Sequence, residues 1–342
     1  MRSLLLLLSG LFLPLCAIAG PVVGISWSNF QEERWKTDEA ALVAGLEAAG
    51  ARVLSADAGS STEKQIADVE SLIARGADVL VVVAQDADAI VPAIAMARAE
   101  GIPVIGYDRL IEQPGVFYIS FDNREVGRIQ ARTLQALVPR GRYVFIKGSA
   151  QDPNSRLVHE GQLDVLGAAL AAGEIENVGE QYVDGWLPER AQQIMEQMLT
   201  ANDGDIDAVV CSNDGMAGGV VAALSAAGVS GVPVSGQDGD KAALARVALG
   251  IQAVSVWKDA RMLGAKAAEV ALALSAGTAP NAIAGAKVWD LGPRGLPVPS
   301  ILLEPVAITR SNLGRVIDAG WVERSVVCDG VVADAPPACR TD

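Results

Sequence analysis

The sequence predicts an α/β protein of two doubly wound parallel-sheet lobes, and three observations carry that expectation. Short β-branched runs alternate with amphipathic helical stretches along most of the chain. Several of the runs, such as Asp78-Val-Leu-Val-Val-Val83, are apolar without alternation, the mark of a strand covered on both faces. About 320 residues remain once a leader is set aside, more than one core usually carries.

The elements come in a regular order. Residues 22–27 read as a strand, and 32–49 as a helix that stops at Gly50. A strand at 52–55 leads to a helix opened by Ser61, whose hydroxyl suits an N-cap. Strand 78–83, helix 87–100, stopped by Gly101, and strand 102–106 complete the first series. The alternation restarts after residue 121 with helix 123–137, strand 142–147, helix 155–172, strand 178–183 and helix 188–201. Then come strand 207–211, helix 214–227, strand 232–236, helix 240–249, strand 251–256 and helix 259–276. Strands separated by helices of this length are βαβ units, hence right-handed parallel sheets with helices on both faces.

The first residues speak to compartment. Met1-Arg2-Ser3 is a short positive start, Leu4 to Leu15 an apolar run, and Ala17-Ile18-Ala19 a small-x-small cleavage pattern. Residues 1–19 are therefore expected to be a signal peptide, too short for a permanent bilayer anchor, with export to the periplasm. Leu13-Pro14-Leu15 ahead of Cys16 does not suit lipid attachment.

The formal charge of −14 argues against nucleic acid and anionic membrane as partners. Cys328 and Cys339 lie close together in a Pro-rich tail, and an oxidising compartment favours a disulfide between them. Cys211 reads as a free thiol in a buried strand. With one histidine, His159, expected on a helix surface, there is little material for a His-based zinc site or a Ser-His-Asp triad. No cofactor is expected.

Doubly wound sheets carry their ligand sites beyond the carboxyl ends of their strands. Here those ends lead to Ser28–Lys36, Tyr107-Asp108-Arg109, Gly148–Asn154, Asp184-Gly-Trp186, Ser212-Asn213-Asp214, Gln237-Asp238 and Trp257-Lys258. Each offers a planar polar group, a charge or a tryptophan. A neutral sugar presents hydroxyls that donate and accept, and apolar C–H faces. Asp108, Asp152 and Asp238 accept, Asn154 and Asn213 do both, and Arg34, Arg109 and Lys258 donate. Trp35 and Trp186 suit the two ring faces. Taken singly, each has a plainer reading: Asp108-Arg109 as a surface ion pair, Trp186 as core, Asp152-Pro-Asn154 as a turn, Asp238 as a helix cap. Their common position at successive strand ends is what independent structural roles do not explain.

Glu33-Arg34-Trp35, Tyr107-Asp108-Arg109, Phe117-Tyr-Ile-Ser-Phe-Asp-Asn123, Val183-Asp-Gly-Trp-Leu-Pro188, Ser212-Asn-Asp214 and Ser235-Gly-Gln-Asp238 resemble segments of bacterial D-xylose-binding proteins. These belong to the type I, or ribose/galactose-type, periplasmic binding proteins. The resemblance runs from about residue 22 to about residue 318. It implies a monomeric binding protein, not an enzyme, that closes two lobes on a monosaccharide and delivers it to the permease of an ABC importer. A chemoreceptor or sensor kinase is a further partner that it allows.

By the same resemblance Arg34, Asp108 and Arg109 contact the sugar from the first lobe and Asp152 and Asn154 from the second. Trp186 stacks on the ring, Asn213, Asp238 and Lys258 complete the hydrogen bonds, and Trp35 and Phe30 form walls. The first loop, Ser28-Asn-Phe-Gln-Glu, departs from the xylose pattern. Three crossovers are expected, near residues 120–123, 255–258 and 289–294. They give a first lobe of 20–121 plus 259–289, a second of 122–258 plus 290–324, and a tail at 325–342 with no assigned role.

Two rivals from other classes carry less. A glycosidase needs one carboxyl with a raised pKa beside a second, whereas these carboxylates sit among Arg, Lys and Asn. A transcription regulator of this fold needs a basic helix-turn-helix, where here a leader runs into the first strand.

Overall fold

The computed structural model describes residues 20–332 and 334–340, so the leader expected at 1–19 lies outside the described residues. The first lobe opens with β1 (Val22–Trp27), α1 (Arg34–Ala48), β2 (Arg52–Asp57), α2 (Thr62–Ala74), β3 (Val79–Val82), α3 (Val91–Ala99), β4 (Val104–Tyr107) and β5 (Val116–Phe121). β3, β4 and β5 are buried along their whole length, which is why their sequences show no polar alternation. Gly50 and Gly101, at φ 80° and 74°, come just after the last turns of α1 and α3 in the left-handed conformation that releases a chain from a helix.

The chain then enters the second lobe with α4 (Asn123–Leu137), β6 (Gly141–Lys147), α5 (Pro153–Ala171), β7 (Ile175–Tyr182) and α6 (Pro188–Ala201). Next are β8 (Ala208–Cys211), α7 (Asp214–Ala226), β9 (Ser235–Asp238), α8 (Lys241–Ala248) and β10 (Val254–Trp257). α9 (Ala260–Ser275) returns to the first lobe and packs on α1, where Gly45 meets Ala268 and Gly264 meets the backbone of Asp38. Last come β11 (Lys287–Trp289), β12 (Val298–Leu303), β13 (Val306–Ile308), α10 (Gly314–Asp318) and α11 (Arg324–Val327).

The first lobe is built on one seven-stranded sheet in the order β11-β12-β5-β4-β3-β1-β2, parallel except for β11. Leu42, Leu46, Leu263 and Leu274 cover one face and Leu72, Ile90 and Ile94 the other. The second lobe places β7-β6-β8 beside β9-β10-β13, joined by a bridge between Val209 and Val234. Its two faces are filled by Met195, Met216 and Val220 on one side and Leu134, Phe145 and Leu166 on the other.

The third crossover differs from the sequence expectation. β12 pairs in parallel with β5, Ser300 beside Tyr118 and Leu303 beside Phe121, so residues 298–303 belong to the first lobe. The chain crosses between Leu303 and Val306, because β13 pairs with β10 of the second lobe. The stretch expected as the crossover, 289–294, instead runs from the end of β11 into the loop that leads to β12, within one sheet. That loop is pinned there by Glu112, whose carboxylate accepts from the backbone N–H of Arg294 and of Leu296 at 2.8 Å each. The first and third crossovers touch, with the N–H of Asp122 donating to the carbonyl of Leu303 at 2.9 Å.

His159 also departs from its expected place. It is not on a helix surface but largely covered, edge-on to Phe145 and hydrogen-bonded through Nδ1 to Gln162 at 3.1 Å. The tail is fastened by a disulfide between Cys328 and Cys339 and packs through α11 on α8. Cys211 is free and buried. Among the described residues no helix is long and apolar enough to cross a membrane.

Candidate functional site

Of the eleven side chains singled out from the sequence, all but Phe30 line one cleft between the lobes, joined there by Glu32 and Gln237. The first turn of α1 supplies Arg34, whose guanidinium bonds Asp38 one turn later at 3.1 Å. Beyond β4 the chain turns sharply at Asp108, at φ 57°, which points Asp108 and Arg109 across the gap. From the second lobe, Asp152 caps α5 by accepting from the N–H of Asn154 at 2.9 Å. Asn213 caps α7 through its oxygen, which leaves its amide nitrogen as the donor available to the cleft. Trp186 stands at φ 60° and Asp238 at φ 103°. Three of the site's residues therefore hold a backbone that L-residues seldom adopt, and such strain persists only where the surroundings enforce it.

Trp186 also needs Gly148. A Cβ on that glycine would fall 2.1 Å from the indole, so the ring lies directly on the backbone after β6. Trp35 sits differently from a simple wall. Its indole lies beneath the Arg34 guanidinium at 4.5 Å and near that of Arg109 at 5.7 Å, backing both cations. Phe30 is partly buried against Trp27, 5.5 Å between ring centroids.

The charges form a closed set that crosses the gap. Arg34 reaches Asp108 at 3.0 Å and Asp238 at 3.2 Å, and Lys258 reaches Asp238 at 2.9 Å. Arg109 pairs with Asp152 at 3.0 Å, and Asn154 donates to the Asp108 carboxylate at 3.1 Å. These side chains are buried, so each charge depends on its partner for the solvation it has lost. Burial pushes the Asp108 carboxyl up, but Arg34, Lys258 and Arg109 together more than offset this and hold it below its ordinary range. Asp152 stays raised by burial despite Arg109, and Asp38 is pushed by burial to about 6. Glu32 is pushed up to about 7, by burial first and by the Asp238 carboxylate second. Of the carboxylates expected to be held as charges by neighbouring cations, Asp108 is held below its ordinary range, whereas Asp152 is not.

Several polar atoms at the cleft have no protein partner: Nε1 of Trp35, Nε1 of Trp186 and Oε1 of Gln237 are buried without a hydrogen bond. Two donors and an acceptor, set among fixed charges, suit a compact ligand that itself both donates and accepts.

Glu32 and Gln237 were not among the residues predicted. Glu32 stands in a Glu32-Glu33 pair at the start of a helix, and Gln237 ends a strand beside the more conspicuous Asp238. Only the facing lobe makes either a cleft residue. Asp38 gave a signal in principle, since it lies four residues beyond Arg34 on one helix face.

Parallel-sheet lobes crossed three times, with their strand ends meeting around a buried polar cleft, define a two-lobed binding protein. Residues 23–279 match the periplasmic binding protein domain family, and this chain belongs to it. It is 42% identical over 307 residues to the D-xylose-binding periplasmic protein of Escherichia coli K12, covering 89% of this chain and 91% of that one. It is 41% identical to the D-xylose-binding periplasmic protein of Haemophilus influenzae, with 86% and 88% covered. Among solved structures, an ABC transporter solute-binding protein of Clostridium phytofermentans with bound β-D-glucose superposes at TM-score 0.82, with 29% identity over 90% of this chain and 99% of that one. These relatives are binding proteins, not enzymes.

Proposed function

We propose that this chain is an exported solute-binding protein that captures a monosaccharide, D-xylose above others, by closing its lobes, and delivers it in the periplasm to the permease of an ABC importer. The observation that carries this reading is the cross-lobe charge set, in which Arg34 pairs with Asp238 and Arg109 with Asp152. A pyranose hydroxyl donates to a carboxylate and accepts from a guanidinium at once. It can therefore enter between such partners without leaving a buried charge bare. Trp186, packed against Gly148, supplies the apolar face that the ring's C–H groups need. The leader read at residues 1–19 and the xylose-binding relatives support the compartment and the sugar.

A hexose is the second reading, favoured by the bound glucose of the structural relative. A six-carbon pyranose carries a hydroxymethyl group on C5 that a pentose lacks, so the two readings separate on room beside Trp186 and the first loop. Titration calorimetry with a panel of pentoses and hexoses tests this. D-xylose is expected to bind most tightly, and a silent xylose titration beside a clean one with another sugar would overturn the assignment.

A further inference from the structure

We infer that Trp321, which comes after α10 and lies outside the cleft, is a positioning residue for Asp238 and Lys258; this rests on the cleft being a monosaccharide site. Asp238 and Gly239 are consecutive residues at positive φ, 103° and 77°, so the end of β9 turns in a conformation that must be held from outside. On one side Asp214 holds it, accepting from the N–H groups of Gly239 and Asp240 at 3.0 Å each. On the other side Trp321 Nε1 donates to the carbonyl of Gly239 at 2.6 Å.

The same indole reaches the second site residue. Its ring lies 5.9 Å from that of Trp257, the residue before Lys258. Trp257 in turn fills the space a side chain on Gly239 would need, 2.5 Å from its Cβ position. The indole pair of Trp257 and Trp321 therefore packs on Gly239, the residue after Asp238, while Trp257 itself precedes Lys258, and the Asp238 and Lys258 side chains meet at 2.9 Å.

Trp321 is itself fixed. The Arg261 guanidinium lies 5.3 Å from its ring, tied to Asp259 at 2.7 Å and to the carbonyls of Ala319 and Gly320 at 3.0 and 3.2 Å. Val327 and the disulfide-bonded Cys328 and Cys339 share its apolar cluster, so the stapled tail is the outer cover of this support. The tail, to which the sequence assigns no role, thus backs the binding site through one hydrogen bond.

The test is calorimetry on the mature chain with the sugar that the wild type binds best, alongside thermal melting. Trp321→Phe keeps a ring and removes the donor; it should weaken binding about tenfold. Trp321→His, smaller and more polar but still carrying an N–H, should recover part of that loss, whereas packing alone would rank histidine below phenylalanine. Trp321→Phe combined with Asp238→Asn should be non-additive in affinity, and combined with Asp152→Asn additive. Wild-type affinity in Trp321→Phe, histidine no better than phenylalanine, or equal additivity in both pairs overturns the inference. A wild-type protein that gives no heat with any monosaccharide overturns the reading of the cleft itself, and is told apart because it needs no variant.

Discussion

At the scale of single residues, the cleft works by mutual dependence of charges. Removing one member leaves its partner buried and bare, which costs about 2–5 kcal/mol. Arg109→Ala strands Asp152, and Asp238→Ala takes from Lys258 its nearest carboxylate and from Arg34 its cross-lobe partner, leaving Arg34 with Asp38 and Asp108. Each is expected to abolish detectable sugar binding by calorimetry while circular dichroism stays that of the wild type.

Glu32 gives the cleft a pH dependence. Its carboxyl is raised from 4.5 to about 7 in this closed arrangement, and an opened cleft would return it to solvent. Closure then takes up protons between those two values, so its contribution to affinity is greatest at low pH and fades as pH rises through about 7. Glu32→Gln removes that component. The variant should match the wild type near pH 4.5 and bind several-fold more tightly above about pH 7, a modest change because Glu32 keeps an edge on solvent. An unchanged ratio of affinities across that range would count against it. Arg34, Asp108 and Trp186 were legible from their place at strand ends. Glu32 was not, because its neighbours in sequence say nothing of the carboxylate that faces it from the other lobe.

At the scale of elements, glycines set how closely helices approach. α4 and α5 pack through Gly127 and Gly161, and a Cβ on either would fall 1.9 Å from a backbone carbonyl oxygen, of Val158 and Arg124 respectively. Gly161→Ala should therefore destabilise the second lobe by about 1–3 kcal/mol, read as a lower denaturation midpoint. The long helices were readable because their apolar spacing and stop glycines agree. Several strands were not. β9 is Ser-Gly-Gln-Asp, without a single β-branched residue, yet it is buried throughout and pairs with β10. A strand expected at 232–236 is displaced toward it because burial between neighbours, not propensity, makes the strand. β11 and β13 are three residues each, too short for any period to show.

At the scale of the molecule, two lobes satisfy one another's polar faces across the cleft and are joined by three crossings of the chain. Binding stabilises the closed form alone, so sugar at one hundred times its Kd should add about 2.7 kcal/mol and raise the melting temperature. Arg109→Ala should lose that sugar-induced rise.

The sequence by itself determined the alternation of strands and helices, the two-lobed class and the ten side chains of the cleft. These rest on local patterns: apolar period, helix caps, and the polar residues at the carboxyl end of each strand. Tertiary structure alone decided where the chain last crosses between lobes, that Glu32 and Gln237 join the cleft, and which carboxyls burial raises. Those depend on partners far away in sequence: β5 drawing β12 into the first sheet, Asp238 facing Glu32, and desolvation that exists only once the lobes meet.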